Sequence, residues 1–176
     1  MRRSNVILII SLGIIMVALS GYAYMTYGKG RLVVELTDPP REWGQASNVY
    51  IKHGMVSVHR ANAGNESGWF TVVDAEGWVD LKSTLNSSKT LGVGSLQAGK
   101  YNLVRFEVVE AIVTVDGVNY TAPVESGKMT VAITQGGVQI DVGQTSHLLI
   151  DVAPKVTGSV EHGFKVVPAA KAQPAS

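Results

Sequence analysis

Residues 101–122 read YNLVRFEVVEAIVTVDGVNYTA, and this stretch decides the fold class. Val104, Phe106 and Val108 alternate on one face, the period-two pattern of a half-buried strand. The parity slips near Glu110 and Ala111, which brings Val113 and Val115 inward, so the stretch is one long strand or a bent pair. Asp116-Gly117 is a hairpin turn signal, because glycine supplies the positive φ that a tight primed turn requires. Val118 to Ala122 is the return strand.

The same pattern recurs on both sides. Leu32, Val34 and Leu36 share one face of Arg31 to Thr37, and Asp38-Pro39-Pro40 ends that strand by removing two ladder donors. From Val49 to His59 the phase changes: Val49 and Ile51 share a face, whereas Val56 and Val58 have the other parity. Gly54 sits at the slip, where a β-bulge restores one buried face. Asn62 to Gly68 reads as a hairpin loop, with Trp69 to Val73 returning from it and Val79 to Leu81 continuing. Residues 83–97 are less regular and read as one short helix or a surface loop. Further alternations follow at Met129, Val131 and Ile133, and then after the Gly136-Gly137 turn at Val138, Ile140 and Val142. Leu148, Ile150 and Val152 alternate in turn, and Phe164 to Val167 makes the last strand. Roughly eight to ten short strands with turn signals between them predict an all-β chain, an antiparallel β-sandwich of Ig-like or Greek-key type.

One helix precedes that domain. Residues 6–25, VILIISLGIIMVALSGYAYM, carry no charge and follow Arg2 and Arg3. About 20 apolar residues in a helix rise roughly 30 Å, the thickness of a bilayer's hydrocarbon core. The basic pair predicts a cytoplasmic N-terminus and an exported remainder. Two readings stay open. A retained transmembrane anchor fits the aromatic cluster Tyr22, Tyr24 and Tyr27 followed by Lys29 and Arg31. A cleaved signal peptide fits the small residues Ala18, Ser20, Gly21 and Ala23. The expected organisation is therefore residues 1–28 as anchor or signal and 29–168 as the extracytoplasmic sandwich. The polar Pro/Ala stretch 169–176 is expected to be a disordered tail.

Composition narrows the function. The net charge is +1 with 16% charged residues, so no nucleic-acid footprint is present. With no cysteine, the chain has neither disulfide staples nor thiolate chemistry. The four histidines, His53, His59, His147 and His162, lack the local spacing of a metal site. A meeting of His59 and His147 with Asp151 or Glu161 would have to come from the fold. Asp74, Glu76 and Asp80 flank a turn but lack the dense spacing of a calcium loop. Gly94-Ser95 lacks the context of a nucleophile elbow, and Ser126-Gly127-Lys128 lacks the leading glycine of a phosphate loop. Glu107 and Glu110 face opposite sides of a strand, a poor arrangement for acid–base work. No catalytic residue, cofactor or metal ligand is assigned.

Two surface features remain. Asn65, Asn86 and Asn119 each begin an Asn-x-Ser/Thr glycosylation acceptor in or beside a predicted loop or hairpin. Trp69 and Trp78 flank the turn from Asp74 to Gly77; as neighbours across it they would form an aromatic ligand-binding platform, with core or edge packing as the alternative.

The order of segments is also familiar: Gly30-Arg-Leu-Val-Val-Glu-Leu-Thr-Asp38-Pro-Pro40, then Val49-x-Ile51 through Val58-His59, then Ala98-Gly99-x-Tyr101-x-x-x-Arg105-Phe106. Leu148-x-Ile150-Asp151-Val152 and Phe164-x-Val166-x-Pro168 close it. Over about residues 30–168 the chain resembles the exported β-sandwich family known as domain of unknown function 4382, of archaea and bacteria. The resemblance implies a secreted or surface-tethered sandwich and implies no catalytic residues. Members often follow a lipoprotein signal, which this cysteine-free chain lacks.

Together these readings predict a non-catalytic structural or adhesive protein at the cell membrane or cell surface. It is either tethered or assembled into an extracellular filament by insertion of the strand Arg31 to Thr37 into a neighbour. The alternative is an accessory or ligand-binding subunit of a membrane complex, with carbohydrate as one ligand. The expected partners are the lipid bilayer, copies of the chain itself or other membrane and surface proteins, and no nucleic acid.

Overall fold

A computed structural model of the chain describes residues 3–37, 43–64, 67–125 and 127–175; within its helix, side chains are described for residues 10–24. The helix α1 runs Arg3–Tyr27 and the remainder is mostly strand. In chain order these are β1 (Lys29–Thr37), β2 (Asn48–Arg60), β3 (Trp69–Val73), β4 (Gly77–Asp80), β5 (Lys89–Gln97), β6 (Gly99–Val115) and β7 (Val118–Ala122). They continue with β8 (Lys128–Ala132), β9 (Val138–Ile140), β10 (Thr145–Val152), β11 (Lys155–Ser159), β12 (Gly163–Val167) and β13 (Ala170–Ala175).

A seven-stranded sheet is built on β6, which pairs with β2, β7, β8 and β9, while β3 and β4 pair with the far side of β2. A four-stranded sheet runs β13-β10-β1-β5, and β11 and β12 form a separate hairpin. Leu32, Val34 and Leu36 from the smaller sheet share one buried cluster with Val49, Ile51, Val56, Val104 and Phe106 from the larger. The inward parity read from the sequence is the observed one in β1, where burial alternates along the strand.

Both predicted slips are register shifts in the β2–β6 ladder. Lys52 faces Glu110 but His53 faces Val108, which leaves Val109 as an extra residue; Val56 then faces Phe106, so Gly54 and Met55 oppose Glu107. The two bulges lie across from each other, and a Cβ on Gly54 would sit 3.0 Å from the Val109 side chain. The Asp116-Gly117 turn has φ of 49° and 81°, as a primed turn requires.

Three features differ from the sequence reading. First, β1 pairs in parallel with β10, Arg31 opposite Thr145 through Thr37 opposite Asp151, so the sheets are antiparallel with one parallel seam. Both strands start at the same end of the domain, which hydrophobic periodicity does not encode. Second, residues 89–97 form a strand antiparallel to β1 instead of a helix or loop. Its inward positions are Gly92, Gly94 and Leu96, and the two glycines erase the apolar alternation. Glycine is required there because β5 lies against β3: a Cβ on Gly94 would sit 2.9 Å from Val72 Cα. Third, residues 170–175 are ordered as an edge strand on β10. Ala172 is 1% exposed, its carbonyl accepts from Thr134 N at 2.8 Å, and Pro174 is tolerated because an edge strand has spare donors. Ladder pairing uses backbone groups, so a polar composition did not prevent it.

Among the described residues no helix is long and apolar enough to cross a membrane. Ile10, Leu12, Ile14, Ile15, Met16, Val17 and Leu19 are each more than half exposed, on every side of α1.

Candidate functional site

The outer face of the seven-stranded sheet carries a cluster of Trp69, His59 and Arg105. Trp69, at the start of β3, stands opposite His59 of β2, and Arg105 of β6 stands opposite Ser57, so the three meet diagonally across β2. The Arg105 guanidinium carbon lies 4.0 Å from the centroid of the Trp69 ring, a cation–π geometry. His59 meets the same indole edge-on, with centroids 5.0 Å apart and planes at 62°. Its Nε2 lies 3.1 Å from the Gly64 carbonyl oxygen, so Nε2 carries the proton. Its Nδ1 is buried with no hydrogen-bond partner among the described residues.

A bulge places Arg105 there. His59 faces Leu103 while Arg60 faces Tyr101, so Asn102 is the extra residue and Tyr101 and Arg105 point to opposite faces. Tyr101 is fully buried, donates its hydroxyl to the Gln97 carbonyl at 3.0 Å and meets Phe70 edge-on at 6.0 Å. Burial pushes its phenol pKa above the ordinary value, with the nearby Arg60 charge opposing. The Tyr-x-x-x-Arg spacing is thus a core anchor and a surface clamp separated by one bulged residue.

Trp78 lies elsewhere. It pairs with Lys52 on β2, seven residues from His59, or roughly 20 Å along the strand at ~3.3 Å per residue. The turn that joins β3 to β4 keeps both strands on one line beside β2 and does not fold them face to face. The two tryptophans therefore form no shared platform, and Arg105 covers one face of Trp69. Trp78 is 41% exposed. Beside it Lys52 Nζ bridges Glu76 at 2.7 Å and Glu110 at 3.1 Å, and these two carboxylates raise the lysine's pKa.

Asn86 is exposed after the 3-10 turn Leu81–Thr84, and Asn119 is exposed on β7, its Oδ1 accepting from Thr114 Oγ1 at 2.7 Å. Asn65 and Ser126 lie outside the described residues. His147 pairs with Glu35 at 3.4 Å on the four-stranded sheet, while His59 belongs to the other sheet, so the two histidines do not meet. Among the described residues no three His, Asp or Glu side chains are grouped to hold a metal ion.

Two of the surface clefts border charged side chains. One, of about 350 Å³, lies between β7 and the β11–β12 hairpin, lined by Thr121, Pro123, Thr157, His162, Phe164 and Lys165. The other, of about 300 Å³, lies at the foot of β1 between Lys29, Arg31, Ser95, Gln144 and Thr145. The Arg105 clamp and the basic foot were not assigned from the sequence. The foot's signal was Lys29-x-Arg31 after the apolar run, and the clamp's was the Tyr101-x-x-x-Arg105 stretch, whose geometry depends on the Asn102 bulge.

No curated protein matches the sequence. A crystal structure of a "putative cell adhesion protein" from Bacteroides eggerthii is similar over 83% of this chain and 57% of its own, at 10% identity and a TM-score of 0.33; the chain thus spans little over half of that protein. A family model described as "Domain of unknown function (DUF4382)" matches residues 29–168, from the first residue of β1 to the one after β12. The match covers most of the chain, all strands but β13 included, and the protein belongs to the DUF4382 family.

Proposed function

We propose that the protein is a non-catalytic structural or adhesive domain displayed outside the cytoplasm and tethered to the membrane by α1. The observation that carries this reading is a helix apolar on every described side that passes through a single residue, Gly28, into the buried strand β1. A helix apolar all round belongs in a core or a bilayer, and the domain's own core does not take this one. The stretch of α1 whose side chains are described, residues 10–24, rises about 22 Å at ~1.5 Å per residue. The uncharged sequence from 6 to 25 extends that to roughly 30 Å, enough for the hydrocarbon core.

In the same reading the domain is a β-sandwich, its two larger sheets contributing their inner faces to one cluster. The exposed acceptors Asn86 and Asn119 are available for glycans. A filament built by strand insertion receives less support, because β1 already fills the place between β10 and β5 in its own sheet. The deciding experiment is the intact mass of native protein from membrane and shed fractions. Mass that retains residues 1–25, in carbonate-resistant membranes only, supports the tether. Mature material that begins near Gly21 or Tyr24 and is shed from the cell overturns it.

A further inference from the structure

The end of the domain next to α1 is joined to the helix through Gly28 alone and is basic. Gly28 N donates to Tyr24 O at 2.8 Å, Gly28 O accepts from Ala98 N at 2.9 Å, and Lys29 O accepts from Gly143 N at 2.9 Å. Arg31 N donates to Gln144 O at 2.9 Å. A Cβ on Gly28 would collide with Tyr24 O and the Val142 side chain, so the helix leaves directly from between the β5–β6 and β9–β10 turns. The β2–β3 loop is at the same end, since Ala61 N donates to Lys100 O at 2.8 Å.

Lys29, Arg31 and Lys100 are exposed at this end. Arg60 is half-buried beside them, its guanidinium donating to Gln97 Oε1 at 2.9 Å and to the Ala98 carbonyl at 3.1 Å. Among the described residues none of these four cations forms an ion pair. The described carboxylate in these turns is Asp141, which accepts from the Gln139 amide at 3.2 Å; Glu66 lies outside the described residues. The opposite end carries both signs, with Asp80, Lys82, Lys89 and Asp116 around its turns. Lys29 and Arg31 share the outer face of β1, roughly 7 Å apart along the strand, and line the polar cleft with Ser95, Gln144 and Thr145.

We propose that this foot is a membrane-apposed surface that binds anionic phospholipid headgroups through Lys29, Arg31 and Lys100. The inference rests on α1 being a membrane anchor. Once α1 is inserted, the direct junction holds these cations at headgroup depth, where an anionic surface attracts each of them and where the attraction decays within a Debye length. The hydroxyls and amide of the cleft supply hydrogen bonds to phosphate oxygens.

The test uses the full chain in phosphatidylcholine vesicles with and without phosphatidylglycerol. Because the chain has no cysteine, Thr134→Cys, exposed in the β8–β9 turn near Lys100 and outside the cleft, provides a single attachment point for a fluorophore, read by its quenching from a headgroup spin-labelled lipid. Stronger quenching with phosphatidylglycerol is expected. That gain should be lost at high salt and in the Lys29→Gln, Arg31→Gln, Lys100→Gln triple variant, and kept when the three are exchanged Lys for Arg and Arg for Lys. Equal quenching in both vesicle types, with the chain resistant to carbonate extraction, overturns the headgroup surface and leaves the anchor standing. A chain extracted by carbonate from both vesicle types overturns the anchor and the inference with it.

Discussion

Replacing Arg105 with alanine removes the guanidinium whose carbon lies 4.0 Å from the centroid of Trp69, and a double-mutant cycle isolates that contact. Arg105→Ala also loses a long hydrogen bond to Thr130 Oγ1, at 3.4 Å. Trp69→Ala also loses the edge contact to His59 at 5.0 Å. Each loss belongs to one single variant and cancels in the cycle. Both partners are half-exposed, so the coupling should fall at the surface end of the cation–π range, about 0.5–1 kcal/mol. For a domain of this size that is roughly 1–4 °C of melting temperature. Urea unfolding followed by far-UV circular dichroism measures all four proteins without relying on the tryptophan signal. Free energies that add to within ~0.3 kcal/mol would refute the clamp.

Three further expectations follow from the packing. Gly94→Val drives a side chain into Val72 Cα, 2.9 Å from where its Cβ would sit, and should cost about 1–3 kcal/mol by overpacking; thermal unfolding at or above the wild-type midpoint would contradict the β5–β3 contact. Tyr101→Phe should cost about 0.5–1.5 kcal/mol at neutral pH for the lost hydroxyl bond. The Tyr101 phenol is held above its ordinary value of 10.0. The unfolded chain therefore releases this proton first, and stability declines as pH rises from about 10 toward the folded value. The Phe variant should lack that part of the alkaline loss in a pH series of urea midpoints. Finally, amides of residues 170–175 that donate to β10 should exchange with deuterium far more slowly than a free tail, and exchange at the free-chain rate would remove β13 from the sheet.

Much of this architecture could be read from periodicity, because large side chains mark the buried face. Leu32, Val34 and Leu36 announce β1, and the parity slips at Gly54 and near Glu110 announce two bulges that the ladder places opposite each other. Where small residues do the packing, the pattern falls silent. Gly92 and Gly94 hide β5 because the neighbouring valines occupy the space their side chains would need, and Ala172 hides β13 for a related reason. The parallel β1–β10 seam is a property of topology and leaves no local trace. The tryptophans illustrate a different limit. Closeness in sequence across the turn from Asp74 to Gly77 suggested neighbours, yet both strands lie end to end along β2, and the partner of Trp69 is an arginine 36 positions away in the numbering.

The central claim, a domain held outside the cytoplasm by α1, is tested most directly by labelling Asn86→Cys in intact cells with a membrane-impermeant maleimide. Asn86 is exposed at the end remote from the helix, where Thr37 Oγ1 donates to Thr84 O at 3.2 Å and Ser87 O at 3.1 Å, and no native thiol competes for the reagent. The account predicts full labelling before lysis, with all labelled protein in the carbonate-resistant pellet. Labelling only after lysis, or labelled protein in the carbonate supernatant, would contradict it.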